Sequence, residues 1–235
     1  MLEMAILAGG LATRLGSLTK QVPKSLIEIQ HRPFIDWQLR LLARSGIEKV
    51  VICLGHKSEM IQNFVGDGAR YGISVVYSFD GPTQLGTGGA IRKALPLLRD
   101  EFMVMYGDSY LPTDFKAIET AFRSFGKPAL MTVFYNNSSY DVSNVLFVNG
   151  NLRKYSKADP MPEMSHIDYG VSTFKRSVFE SYEQDVPIDL SDICQDLCHS
   201  GSLAGYEVRE RFYEIGSLRG IDDFREYVER NKNDI

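Results

Sequence analysis

Apolar runs and amphipathic stretches alternate along the first 135 residues. The runs MAIL, KVVICLG, ISVVYSF, EFMVMYG and ALMTVFY are short and rich in β-branched and aromatic residues, which predicts strands. Between them, apolar residues recur at helical spacing in Phe34 to Ser45, Lys57 to Val65, Gly89 to Leu98 and Asp114 to Phe125. Gly46, Gly66 and Gly126 stand where a helix end takes a left-handed residue. Such alternation predicts an α/β fold, Rossmann-like, with a mixed, mostly parallel sheet and helices on both faces.

After Tyr135 the rhythm changes. "SNVLFVNGNLRKYS" reads as a hairpin around Asn149-Gly150. Helices are predicted near Lys175 to Tyr182 and Leu190 to His199, then strand-like AGYEV and RFYEI, then a charged amphipathic helix from about Gly220. With no repeat or Pro/Gly/Ser linker, the chain reads as one domain over 1–235. Residues 1–135 form its core and 136–235 a smaller C-terminal elaboration.

The 235 residues are enough to bury a large core, and a formal net charge of −4 argues against a nucleic-acid backbone as partner. No apolar run reaches membrane-spanning length, and the segment around Ile6 and Leu7 is too short for a signal peptide. Cys53, Cys194 and Cys198 make no disulfide framework, so a reducing cytoplasm is expected. Cys194, Cys198 and His199 lie close together with no partner cluster visible elsewhere, which fits a buried cysteine face rather than zinc. In an acidic chain any anion site must be local.

One segment gathers cations and bare backbone. "AILAGGLATRLGSLTKQVPKSL" puts Gly9 and Gly10 at the end of the first strand, with Arg14, Lys20 and Lys24 following. Open α/β sheets bind ligands at the carboxyl ends of their strands, and glycines let backbone N–H groups approach phosphate oxygens. The loop is neither a Walker A sequence nor a G-x-G-x-x-G fingerprint. Taken alone it fits either a phosphate cradle or an ordinary turn with solvated cations.

The segment resembles the signature of the sugar-1-phosphate nucleotidyltransferases, L-A-G-G-x-G-T-R-L-x-P-L-T-x-x-x-P-K-x-L. Leu7, Ala8, Gly9, Gly10, Thr13, Arg14, Leu15, Leu18, Thr19, Pro23, Lys24 and Leu26 fit, whereas Ala12 replaces a glycine and Ser17 a proline. The resemblance implies the nucleotide-diphospho-sugar transferase fold, with Leu7, Ala8, Gly9, Gly10, Thr13 and Arg14 binding a nucleoside triphosphate. It also implies that Arg14 neutralises the leaving pyrophosphate and that Lys24 contacts the reacting phosphates.

Other segments extend it. "QLGTGGAI" is similar to the family's second loop, which places Leu85, Gly86, Thr87 and Gly88 along base and ribose and Gln84 beside the base. "MYGDSYL" places Asp108 just past an apolar strand, where a carboxylate suits a hard divalent cation, and the family has a metal-binding aspartate there. "FYEIGS" stands where the family carries a late W-x-D-x-G-T, so Glu214 takes the place of the second metal ligand. "YSKADP" and "HIDYGVS" resemble the segments that hold the sugar phosphate and read its hydroxyls, which implies roles for Lys157, Asp168 and Gly170. Ser156 replaces the family's acid and Asp168 its asparagine.

The expectation is a Mg²⁺-dependent enzyme that joins an NTP and a sugar 1-phosphate into an NDP-sugar and pyrophosphate. The overall look of KPALMTV, HIDYGVS and YEIGS is nearest to guanylyltransferases acting on D-glycero-D-manno-heptose 1-phosphate or mannose 1-phosphate, which implies GTP. Uridylyl or thymidylyl transfer to glucose 1-phosphate is the alternative among enzymes, and a nucleotide-binding regulatory module the alternative outside them. The reading includes a homodimer and neither nucleic-acid nor membrane partners.

Overall fold

The structure is a computed structural model that describes residues 1–10, 22–55 and 57–232. Thr13 and Arg14 lie outside the described residues. Along the chain, strand β1 (Glu3–Leu7) leads to a small antiparallel pair, β2 (Glu28–Ile29) and β3 (Arg32–Pro33), and then helix α1 (Phe34–Arg44). Next come β4 (Lys49–Leu54), α2 (Ser58–Val65), β5 (Ser74–Phe79), α3 (Gly86–Ala94) and β6 (Glu101–Tyr106). The two-residue β7 (Ser109–Tyr110), α4 (Phe115–Phe125), β8 (Ala129–Tyr135), β9 (Val145–Val148) and β10 (Asn151–Tyr155) follow. The last third holds β11 (His166–Lys175), α5 (Ser177–Glu180), α6 (Leu190–His199), β12 (Leu203–Val208), β13 (Tyr213–Glu214) and α7 (Leu218–Arg230).

One mixed sheet carries the fold. β5, β4, β1 and β6 pair in parallel, β11 lies antiparallel between β6 and β8, and β12 pairs parallel to β8. The β9–β10 hairpin joins the early end of β11 and turns at Asn149 and Gly150, both at positive φ. By these pairings β11 and β10 run against the other strands, so the sheet is mostly parallel in direction. Along β1, Met4 and Ile6 face a core shared with α1, α2, α4 and α7, while Ala5 faces one shared with α3, α5 and α6. A strand buried on both faces must be apolar throughout, which explains the unbroken MAIL and KVVICL runs.

The expected helix from Gly89 begins at Gly86 instead. RFYEI gives only the two residues of β13, because α7 begins soon after. "HIDYGVS" is part of the ten-residue β11, whose register with β8 shifts between Asp168 and Ser172. Gly170, at φ +106, sits within that irregularity.

Packing of α7 places the late segment. Phe224 lies with its ring centroid 5.2 Å from Phe34, 4.8 Å from Tyr110 and 6.4 Å from Trp37. This aromatic cluster docks α7 on α1 and β7, so that β13 pairs with β7 and brings Glu214 opposite Ser109. No helix among the described residues is long and apolar enough to cross a membrane.

Candidate active site

The carboxyl ends of β1, β4 and β6 meet at contact distance. Ala8 N–H donates to Cys53 O and Gly107 N–H to Leu7 O, each at 2.9 Å. A Cβ on Gly107 would lie 2.6 Å from Leu7 O, and one on Gly55 would lie 2.8 Å from Gly9 O. Only glycine permits that approach. Above this floor opens a cavity of about 610 Å³, lined on one side by Leu7, Ala8, Gly9 and Gly10 and on the other by Gln84, Gly86 and Thr87.

Lys24 and Asp108 face each other across the cavity's inner end. Lys24 opens a 3₁₀ turn after Pro23, Asp108 sits in the turn between β6 and β7, and Nζ reaches Oδ2 at 2.7 Å. That turn is clamped from below. The Gln38 side chain of α1 is fully buried and donates to Tyr106 O at 3.1 Å and to Ser109 O at 2.8 Å. Both peptide carbonyls flanking Gly107 and Asp108 are thereby fixed.

Glu214 adjoins this pair through backbone. Ile215 N–H donates to Asp108 O at 2.9 Å, and a Cβ on Gly216 would lie 3.1 Å from Lys24 Nζ and 3.8 Å from Asp108 Oδ2. The Glu214 carboxylate itself accepts from Gly216 N–H and from Ser217 Oγ, the latter at 2.6 Å. It thus lies at the start of α7, where the helix dipole favours an anion.

At the outer wall the glycine-rich stretch is held by a distant segment. Gly86 has φ +70, and a Cβ there would lie 2.5 Å from Ile188 O. Gly88 N–H donates to that same carbonyl at 2.9 Å, and Ile188 N–H donates to Leu85 O at 2.9 Å. Thr87 Oγ1 donates to Asp189 Oδ1 at 3.0 Å and accepts from Leu190 N–H at 2.7 Å. Leu85, expected along the base, is buried and not among the residues lining the cavity, and its backbone is engaged by Ile188 and Asp80. Gln84 is exposed, its amide 3.4 Å from Gly9 O.

A second polar cluster touches the cavity at Tyr106. Lys157 Nζ donates to Tyr106 Oη at 3.1 Å, stands 4.8 Å from the ring centroid and lies 3.9 Å from Asp168 Oδ2. Gly170 N–H donates to Asp168 Oδ1 at 3.0 Å, and the Tyr155 hydroxyl lies 3.5 Å from Oδ2. Burial pushes the Asp168 carboxyl above its ordinary range, with Lys157 and the Gly170 N–H opposing. The same burial, reinforced by Asp168, pushes the Tyr106 phenol well up. Asp189 lines the cavity. Although its burial works the other way, hydrogen bonds from Ser191 and Thr87 hold it below the usual carboxylate range.

The structure therefore gathers Gly9, Gly10, Lys24, Gln84, Gly86, Thr87 and Asp108 on one cavity, with Lys157, Asp168 and Gly170 adjoining at Tyr106. Sequence reading missed Tyr106, Asp80 and Asp189 on the cavity wall and Gln38 beneath it. Tyr106 and Asp80 end or follow predicted strands, a position that could have flagged them.

Known proteins resemble this chain in sequence and in fold. A D-glycero-alpha-D-manno-heptose 1-phosphate guanylyltransferase from Aneurinibacillus thermoaerophilus is 37% identical over 194 residues, covering 78% of this chain and 83% of that protein. A UTP–glucose-1-phosphate uridylyltransferase from Synechocystis sp. is 28% identical over 239 residues, covering 92% of this chain and 61% of that protein. The chain spans about half to two thirds of the length of several curated relatives it matches. In fold, the crystal structure of HddC from Yersinia pseudotuberculosis complexed with GMP-PN aligns with TM-score 0.81 at 21% identity, covering 97% of this chain and 99% of that one. The sequence profile of the family described as "Nucleotidyl transferase" matches residues 4–143, and the chain belongs to that family.

Proposed function

We propose that this protein transfers a nucleotidyl group from an NTP to a sugar 1-phosphate, releasing pyrophosphate. The observation that carries the reading is the Lys24–Asp108 ion pair set in a cavity floored by the backbone of Gly9 and Gly10. A sugar phosphate oxygen attacks the α-phosphorus, the bond from that phosphorus to the bridging oxygen breaks, and pyrophosphate leaves with the electron pair. The nucleophile is already an anion, so positioning and charge stabilisation supply most of the rate. In this reading Lys24 turns from Asp108 to the reacting phosphates, and Arg14 offsets charge on the departing pyrophosphate. Lys157, with Asp168 and the Gly170 backbone, holds the sugar phosphate side. Gly9, Gly10, Gly86 and Thr87 bound the space for phosphates and ribose.

Mg²⁺ fits part of this donor set. Mg²⁺ favours one or two carboxylates plus phosphate oxygens and water, and would offset phosphate charge. Asp108 meets that need, since its carboxylate is partly open, with Oδ2 held by an exchangeable ammonium and Oδ1 accepting from the Ser109 hydroxyl at 3.3 Å. Glu214 is near enough to join only by leaving Gly216 N–H and Ser217. We assign the ion to Asp108, with Glu214 as the second ligand in the substrate-bound state.

GTP with a manno-configured heptose or hexose 1-phosphate is the pairing we favour, supported by the guanylyltransferase relative and by the look of HIDYGVS and YEIGS. Pyrophosphate release from four NTPs against heptose, mannose and glucose 1-phosphates tests it. GTP with a manno sugar should be the fastest pair. Fastest release from UTP or TTP with glucose 1-phosphate would replace this pairing while keeping the reaction.

A further inference from the structure

Asp80 follows the last residue of β5 and has no part in the chemistry above. Its side chain is nearly buried, yet it lines the cavity together with Gly9 and Gln84. Its position is fixed. The Asp80 N–H donates to Leu54 O at 2.9 Å, and the carboxylate accepts from Leu85 N–H across the intervening turn. Oδ2 lies 3.3 and 3.5 Å from where Cβ atoms on Gly55 and Gly9 would stand, so it sits against the cavity's glycine floor.

We propose that Asp80 selects guanine by accepting hydrogen bonds from its N1–H and its N2 amino group. The proposal rests on the nucleotidyl-transfer reading of the same cavity and names the base it takes. A carboxylate offers acceptors only. Guanine is the one common base whose pairing edge presents two adjacent N–H donors. Uracil and thymine flank a single N–H with carbonyls, and adenine and cytosine set an amino group beside a ring-nitrogen acceptor. Each of these would leave an acceptor facing the Asp80 carboxylate in a nearly buried place, where unpaired polar groups are costly. The Gln84 amide in the same cavity supplies the kind of donor that guanine O6 requires.

Calorimetric titration of wild type and Asp80→Asn with GTP, XTP and UTP, without sugar phosphate, tests this with no need for turnover. Xanthine keeps guanine's outline but carries a carbonyl oxygen in place of the amino group. Wild type should bind GTP roughly 10–100-fold more tightly than XTP or UTP, the scale of one bidentate base contact. Asparagine puts an amino donor where one carboxylate oxygen stood, so the variant should lose GTP affinity by a similar factor and gain affinity for XTP. Misfolding cannot produce that gain. An unchanged GTP-to-XTP ranking in the variant overturns the proposal, as does a wild type that binds UTP as well as GTP or binds no NTP. Guanine-selective binding that depends on Asp80 but comes with no pyrophosphate release would leave base selection standing and remove the transfer reaction.

Discussion

Lys24 and Asp108, 84 residues apart in sequence, meet as a 2.7 Å ion pair at the inner end of the cavity. Each side chain supplies the other's counter-charge, so neither charge is left unpaired. Both side chains are partly open, and such a pair contributes about 1 kcal/mol or less to stability. Asp108→Asn and Lys24→Met should therefore melt near wild type. Pyrophosphate release should nevertheless fall by roughly 10²-fold or more, the scale for losing one preorganised electrostatic group. Thermal denaturation beside steady-state kinetics checks both halves, and a large loss of stability with intact kcat would make the pair structural.

Gln38 provides a test of positioning. Replacing it with Leu keeps the volume similar but takes a donor from the partly buried carbonyls of Tyr106 and Ser109, while also removing Gln38 Oε1, a buried acceptor without a partner among the described residues. The expected cost is about 1–3 kcal/mol in urea unfolding, the scale for one lost buried hydrogen-bonding partner. The more telling readout is the Mg²⁺ titration of activity. A displaced Asp108 should need more Mg²⁺ for half-maximal rate, which a fold-only role for Gln38 would not produce.

Gly107→Ala should destabilise by about 1–3 kcal/mol, because an added methyl would have to part β6 from β1 at Leu7 and Ala8. Gly10→Ala meets nothing within 4 Å and should melt like wild type. Equal melting temperatures for the two variants would contradict the close approach of strand ends.

Asp168 links pH to stability. Its folded pKa is raised by burial, so the neutral acid is favoured in the folded state. That contribution is complete below the ordinary value of about 4 and is lost as pH rises through the folded pKa. Asp168→Asn removes the penalty and keeps an oxygen for Gly170 N–H. The variant should be more stable than wild type at pH 7–8, with the two converging as pH falls toward 4. At the same time KM for the sugar 1-phosphate should rise. Urea unfolding across pH, paired with kinetics, would show the opposed changes.

What the sequence made legible follows distance along the chain. MAIL and FMVM are buried on both faces, so composition alone marks them as strands, and AGG and YGD then fall at their carboxyl ends. β11 stayed hidden because Asp168 and Gly170 interrupt its pattern; β6 and β8 on either side make it a strand. Gln38 is fully buried because α1 packs under the β6–β7 turn, which helical spacing alone does not reveal. Asp189 meets Thr87 across 102 residues, a contact no local spacing encodes. The family resemblance puts "GTGG" along base and ribose, and Gly86 and Gly88 also make room for Ile188. Glu214 lies opposite Ser109 in the β7–β13 pair, and its engagement with Gly216 and Ser217 depends on where α7 starts, which spacing along the chain does not reveal.

The central claim, that this cavity moves a nucleotidyl group onto a sugar phosphate, is tested most directly by ³¹P NMR of a single mixture. GTP, mannose 1-phosphate, Mg²⁺ and the protein are followed together with time. The account predicts that the sugar phosphate resonance disappears in step with GTP while a diphosphate diester and free pyrophosphate grow in equal amounts, and that Asp108→Asn abolishes both. Appearance of GDP and inorganic phosphate with mannose 1-phosphate untouched, or an unchanged spectrum under conditions where GTP demonstrably binds, would contradict it.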